Sequence, residues 1–156
     1  MRNNQWLEAQ LKTLLATHFS DVEITNPIEI RFGREAKYRF GSIKLYKTKA
    51  TGHWLLGIRQ KPRAKSPEPA RSIITITSLF AKEDVPEEVV RYTIAHELTH
   101  YAHGFSSSNK RLFKHPHHGG IVNKELTHRG ARTLIYAFKQ WLKNYRAQIL
   151  SGREKI

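Results

Sequence analysis

Cysteine is absent from the 156 residues of this chain. Without thiols the protein can form no disulfide and cannot build a cysteine-based zinc ribbon. The sequence also lacks a run of about 18 apolar residues, the length that a membrane-spanning helix needs. No apolar segment typical of a signal peptide follows the polar residues 1–5. We therefore expect a cytoplasmic protein without a membrane partner, built as one domain over residues 1–156 with its core at about 20–150.

Acidic residues are scarce, since 13 Asp and Glu stand against 27 Lys and Arg and the formal net charge is +14. A charge of this size attracts nucleic acid at long range. The basic residues are spread over many segments, however, and no motif that reads DNA or RNA is present. The charge is thus compatible with a DNA partner, and equally with a soluble basic protein that has none.

Hydrophobic periodicity predicts the order of the secondary structure elements. Apolar residues at spacings of three and four predict helices over residues 4–18 and 122–150. A loop rich in proline and basic residues is expected over 61–71. Alternating or β-branched segments predict four strands, over residues 22–32, 38–46, 54–59 and 72–78.

A further helix is predicted over residues 86–104. Asp84 and Glu87 have the spacing of a capping box, and Gly104 suits the helix end. Apolar residues at helical spacing predict a core face made of Ile94, Leu98, Tyr101 and Phe105. The opposite face carries Val89, Tyr92, His96, His100 and His103.

The predicted order is a helix, three or four strands, the helix at 86–104, a His-rich loop at 106–120 and a long final helix. This order favours an α+β fold with a mostly antiparallel sheet.

The sequence His96-Glu97-Leu98-Thr99-His100 is an HExxH motif. Residues four apart lie on one face of a helix, so both imidazoles can reach one metal ion. Glu97 lies about 100° round the helix and can act on a water at that metal without ligating the metal itself. The motif therefore predicts a zinc site in which His96 and His100 are ligands and Glu97 is the catalytic base.

Catalytic zinc usually takes three protein ligands and leaves one position open. His103 lies about 10 Å further along the helix from His96, too far to share the metal, and is expected to line the cleft. His118 stands directly before Gly119-Gly120, where a sharp turn can aim its ring at the metal. His118 is thus the predicted third ligand. The alternatives are His115, His117 and Glu125.

Residues 31–131 resemble the SprT-like zinc metallopeptidase domain. The match consists of the HExxH motif and of His118-Gly119 before a helix. The family usually has Phe or Trp after His-Gly, where this chain has Val122, and many members carry a Cys-rich zinc ribbon that is absent here. The resemblance implies a zincin-like fold, one catalytic Zn²⁺ and cleavage of peptide bonds. Because some members degrade proteins crosslinked to DNA, it also implies DNA-associated protein substrates.

The motif and the resemblance predict a zinc metallopeptidase acting on a protein or peptide. One alternative is a basic nucleic-acid-binding module whose metal site is structural or vestigial. Another is an enzyme of the same fold that hydrolyses a non-peptide amide. A structural zinc site would be closed by four protein ligands, whereas a catalytic site keeps a position for water.

Overall fold

The structure, a computed structural model, describes residues 1–47 and 70–154, with only the backbone at 153–154. In these ranges the fold is α+β, as predicted. The helices are α1 (Asn4–His18), α2 (Glu87–Ala102), α3 (Ile121–His128) and α4 (Arg132–Glu154). The strands are β1 (Ile28–Phe32), β2 (Gly41–Lys47) and β3 (Ala70–Ile76). The strand predicted at 54–59 and most of the loop predicted at 61–71 lie outside the described residues.

Strand β3 lies at the centre of the described sheet, in the order β1-β3-β2. It pairs parallel with β1, where Ile28 faces Ser72, and antiparallel with β2, where Gly41 faces Ile76. The described sheet is therefore mixed, which corrects the prediction of a mostly antiparallel one. The β-branched β3 is buried at four of its seven positions, three of them consecutive, and such a run is typical of a strand that is covered on both faces of the sheet.

The first two strands are shorter than the alternating patterns predict. Strand β1 begins only after Pro27, which has no N–H to donate to a sheet. Asn26, just before it, is buried, and its side-chain amide donates to Ser72 Oγ at 2.8 Å. Strand β2 begins at Gly41 and not at residue 38.

Helix α1 has the predicted bounds and begins with a side-chain cap. The Asn3 side chain accepts a hydrogen bond from the Trp6 backbone N–H at 2.9 Å. Such a cap satisfies a backbone donor that the helix itself leaves unpaired. Leu7, Leu11 and Leu14 form the buried face of the helix.

Helix α2 is the central helix of the fold, and it contacts α1, α3, α4, β2 and β3. The predicted core residues Ile94, Leu98 and Tyr101 are buried. The prediction of a single core face is wrong, however, because Val89 and Tyr92 on the other side are buried too. A helix that is covered on several sides is buried nearly all round.

The two ends of α2 differ in how well the sequence predicted them. The prediction of a capping box is wrong, because Pro86 occupies the N-cap position and no side chain caps the helix. The end at Gly104 is confirmed. Gly104 has φ +81°, and the Phe105 N–H donates to the His100 carbonyl at 2.9 Å, which is a Schellman motif.

The helix predicted over residues 122–150 is two helices. Gly130 has φ +80°, and the Ala131 N–H donates to the Leu126 carbonyl at 2.8 Å, which forms a second Schellman motif between α3 and α4. No helix among the described residues combines the length and the apolar character needed to cross a membrane.

Candidate metal centre

Three histidines bring their Nε2 atoms together at the floor of a cleft. His96 Nε2 lies 3.1 Å from His100 Nε2 and 3.2 Å from His117 Nε2. His96 and His100 project from adjacent turns of α2, and His117 comes from the loop after it. Within the described parts of the chain, these three residues form the group that could hold a metal ion.

These distances fit a shared metal ion. Two nitrogens on a tetrahedral zinc, each at about 2.0–2.1 Å from the ion, lie about 3.3–3.4 Å apart. The two separations from His96 Nε2 differ from this value by only a few tenths of an ångström, and all three ligand atoms lie within 4.8 Å of one another. Three imidazoles also form a donor set typical of zinc.

The structure places His118 and His115 outside the cluster. His118 is exposed at the start of a 3-10 turn (His118–Gly120), and its ring centroid lies 6.4 Å from that of His115. The turn predicted at Gly119-Gly120 is present, since both glycines have φ +67°. It does not direct His118 towards α2. The preceding residue, His117, has that position, so the geometry favours His117 as third ligand.

Glu125, the remaining candidate ligand, has other partners. Its carboxylate lies 3.1 Å from Arg129 Nη2 and 3.6 Å from His103 Nε2. His103 is only 2 % exposed, and its ring packs against Phe113 at a centroid distance of 4.6 Å. The expectation that His103 lines the cleft is therefore wrong, because helix α3 covers it.

Burial keeps the two helix histidines neutral. Burial, together with the charge of the neighbouring His117, lowers the pKa of His96 to about 4. Burial likewise lowers the pKa of His100 to about 3, assisted by the charges of the surrounding histidines. At neutral pH both rings are therefore unprotonated, which is the form that binds a metal.

Glu97 lines the same cleft and is only 6 % exposed. Burial raises the pKa of its carboxyl group to about 7, while the positive charge of Arg39 acts in the opposite direction. A carboxyl group with a pKa near neutrality can both accept and release a proton.

The cleft has a volume of about 450 Å³ and is bounded by the start of β2 on one side and by the loop after α2 on the other. Gly41 lies directly against α2, and a Cβ atom there would come within 2.7 Å of Thr93 Cγ2 and 3.2 Å of Glu97 Oε1. Arg39 and Arg111 bring positive charge to the walls, and the Arg111 guanidinium covers the Phe105 ring at 4.7 Å. Sequence reasoning missed these wall residues, because nothing in their spacing links them to the motif.

The loop after α2 is anchored to the sheet by buried and partly buried hydrogen bonds. The Tyr101 hydroxyl donates to the Asn26 carbonyl at 2.7 Å, and Asn26 Oδ1 accepts from the Ser108 N–H at 2.8 Å. Ser72 Oγ donates to the Ser106 carbonyl at 2.6 Å. These bonds connect the end of the motif helix, the sheet and the cleft-lining Ser106.

Comparison with known proteins does not add to this description. No protein-family model, no curated protein and no solved structure matches the chain.

Proposed function

We propose that this chain is a zinc-dependent metallopeptidase of the SprT-like, zincin type. The observation that carries the proposal is the convergence of His96, His100 and His117 beside the buried Glu97 at the floor of an open cleft. The arrangement combines a metal-binding group, a proton-transfer group and room for a substrate.

The number of candidate ligands and the space beside them support a catalytic site over a structural one. Structural zinc sites are closed by four protein ligands, whereas catalytic sites use three and keep one position for water or substrate. Three histidines form the cluster in the described chain, and about 450 Å³ of open space adjoins them. This argues against the alternative of a nucleic-acid-binding module with a structural metal.

The residues of the site have distinct roles in the proposed reaction. His96, His100 and His117 would hold the ion, and a bound zinc would supply a water molecule of lowered pKa and polarise the carbonyl that is attacked. Glu97 accepts a proton from the attacking water and passes it to the leaving amine, so that the peptide bond breaks into an acid and an amine. Because Glu97 is buried, its carboxyl group is held at the floor of the cleft and is shielded from bulk water.

The substrate is proposed to bind in an extended conformation along β2. This strand lies at the edge of the described sheet, and Gly41, Ser42 and Ile43 line the cleft. An exposed edge can accept an extended peptide as an additional strand through backbone hydrogen bonds. A protein or peptide that can adopt this conformation is the proposed substrate class, and the cytoplasm is the proposed location.

Replacing Glu97 by Gln tests the mechanism. We expect peptide hydrolysis to fall by about 100-fold to 10,000-fold, since general acid–base catalysis contributes that much. Zinc content should be unchanged, because Glu97 is not a ligand. Glu88→Gln is the matched control, since Glu88 is exposed on the same helix. Full hydrolysis by the Glu97→Gln variant would exclude Glu97 as the base, and no hydrolysis of any peptide by the zinc-loaded wild type would exclude the peptidase.

A second proposed function is binding of DNA, which is favoured by a basic stripe on α4. Arg132, Lys139, Lys143 and Arg146 are exposed and fall within about 60° of one another at 100° per residue. No acidic residue occurs in α4 before Glu154. At about 1.5 Å per residue the stripe is roughly 21 Å long, enough to contact several phosphates.

The DNA proposal predicts binding that depends steeply on salt. Each phosphate contact that is lost reduces the slope of log K against log salt by about 0.9 for duplex DNA. Lys139→Ala with Lys143→Ala should reduce the slope by about 2, whereas Lys12→Ala with Lys82→Ala, two exposed lysines outside α4, should leave it unchanged. No retention of the wild type on DNA at low salt would refute this function.

A further inference from the structure

A second cavity opens beside the histidine cluster, on the side of residues 38–40, with a volume of about 260 Å³. It shares His96, Glu97, Gly41 and Arg39 with the main cleft. The volume is below the range of roughly 300–1,000 Å³ that is typical of whole small-molecule sites. A cavity of this size next to a cleft is suited to one side chain of a longer ligand. Its remaining walls are formed by Tyr38, Phe40, Tyr92, Thr93 and Phe138.

The interior of this cavity is more apolar than the residue names suggest. The Tyr92 hydroxyl donates to Asn123 Oδ1 at 2.7 Å, and the Thr93 hydroxyl donates to the Val89 carbonyl at 3.0 Å. Because both hydroxyls are bonded elsewhere, Tyr92 presents its ring to the cavity and Thr93 presents its methyl group. The Tyr92 ring stacks on Phe138 at a centroid distance of 4.3 Å, and the Thr93 methyl group faces Gly41. An apolar group gains the most from entering such a site.

The direction of β2 determines which part of a bound peptide reaches the cavity. The cavity lies at the start of β2, and the main cleft extends to Ile43 further along the strand. Antiparallel pairing is the more stable arrangement for an added strand. A peptide paired in this way runs from Ile43 towards Gly41, so its residues after the scissile bond lie on the side of the cavity.

We propose that this cavity binds the side chain of the residue directly after the scissile bond, and that it selects large apolar side chains such as Leu, Met and Phe. The inference rests on the proposed peptidase function. Arg39 in the shared wall also disfavours basic substrate residues at this position, because a Lys or Arg side chain that enters the cavity meets a like charge.

The zinc-loaded protein is tested first on a mixture of synthetic peptides of varied sequence, with cleavage positions read by mass spectrometry. Quenched fluorescent peptides that differ only after the cleaved bond then give kcat/KM. Leu or Phe should exceed Ala by about 10-fold to 100-fold, the equivalent of burying one such side chain. Lys at this position should be cleaved more slowly than Ala.

Two variants on α4 locate the selectivity in the cavity. Phe138 and Trp141 are both half-buried and both contact Phe40, but only Phe138 lines the cavity. Phe138→Ala should reduce the preference for Leu over Ala to less than about threefold, whereas Trp141→Ala should keep the wild-type preference. If thermal unfolding shows that Phe138→Ala does not fold, Phe138→Leu replaces it. In that variant the preferred substrate residue after the cleaved bond should shift from Phe to larger or more flexible side chains.

The outcomes separate this inference from the proposed function. Cleavage without preference for large apolar residues after the bond, or a preference that Phe138 variants leave intact, overturns the inference while the peptidase function stands. Failure to cleave any peptide overturns both.

Discussion

Replacing His117 by Ala removes one of the three imidazoles that converge on the candidate zinc position. Zinc sites with four protein ligands bind with about 10–16 kcal/mol, or roughly 2.5–4 kcal/mol per ligand. His117 is exposed on a loop, and holding such a side chain in place costs about 0.5–1.5 kcal/mol. The net loss of zinc-binding free energy is therefore about 1–3.5 kcal/mol, and its midpoint of about 2.3 kcal/mol corresponds to an affinity about 50-fold weaker.

The measurement is a competition for zinc between the protein and a chelating indicator at neutral pH, with metal content after dialysis as a second reading. His118→Ala and His115→Ala are matched controls, since both residues are exposed histidines of the same loop. Both controls should retain nearly the wild-type affinity. Thermal unfolding of the zinc-free proteins should be similar for all three variants, because none of these side chains is part of the core.

The ranking of the three variants decides whether the reasoning is correct. If His118→Ala lost zinc while His117→Ala kept it, the loop would close on the metal in a different register from the one described. Equal, small losses in all three variants would mean that no histidine of this loop is a ligand.

Three further variants test how the fold supports the site, each judged against Gly152→Ala or the wild type. Gly41→Ala should lower hydrolysis by up to about 100-fold with zinc retained, because the new methyl group would come 2.7 Å from Thr93 Cγ2 and 3.2 Å from Glu97 Oε1, so that β2 or α2 must shift at the site. Activity equal to that of Gly152→Ala, whose Cβ meets nothing, would contradict this. Gly104→Ala should lower the free energy of unfolding by about 1–3 kcal/mol or more, since φ is +81° and the Cβ meets the Lys110 carbonyl; an unchanged Tm would refute it. Tyr101→Phe should lower the free energy of unfolding by about 1–3 kcal/mol, because it leaves the Asn26 backbone groups without their hydrogen-bond partner. Urea unfolding measures this loss.

Local patterns predicted the helices well where helix formation depends on neighbours in the chain. Helix α1 has the predicted bounds, because its apolar spacing and its polar flanks both act locally. The end of α2 at Gly104 was predictable for the same reason. Gly130 marks the end of α3 as clearly as Gly104 marks the end of α2. It was not predicted as a helix end, because apolar residues continue at helical spacing on both sides of it.

The sheet and the third ligand could not be read from local patterns. The parallel pairing of β1 with β3 depends on which strands meet after the chain has folded, and the alternation within a strand carries no such information. His115, His117 and His118 are neighbours of the same chemical type. Only the path of the loop across α2 determines which of them reaches the cluster. If the loop were shifted by one residue, a different histidine would occupy the position of His117.

From the sequence alone, local periodicity was sufficient to predict the α+β class, and spacing along one helix was sufficient to place His96, Glu97 and His100 together on α2. The tertiary structure decided that β3 separates β1 from β2, that His103 is buried against Glu125, and that His117 joins the cluster. It also brought Arg39 and Gly41 to the walls of the cleft and Phe138 to the wall of the second cavity. These are contacts between segments far apart in the chain, and packing of the whole core selects them.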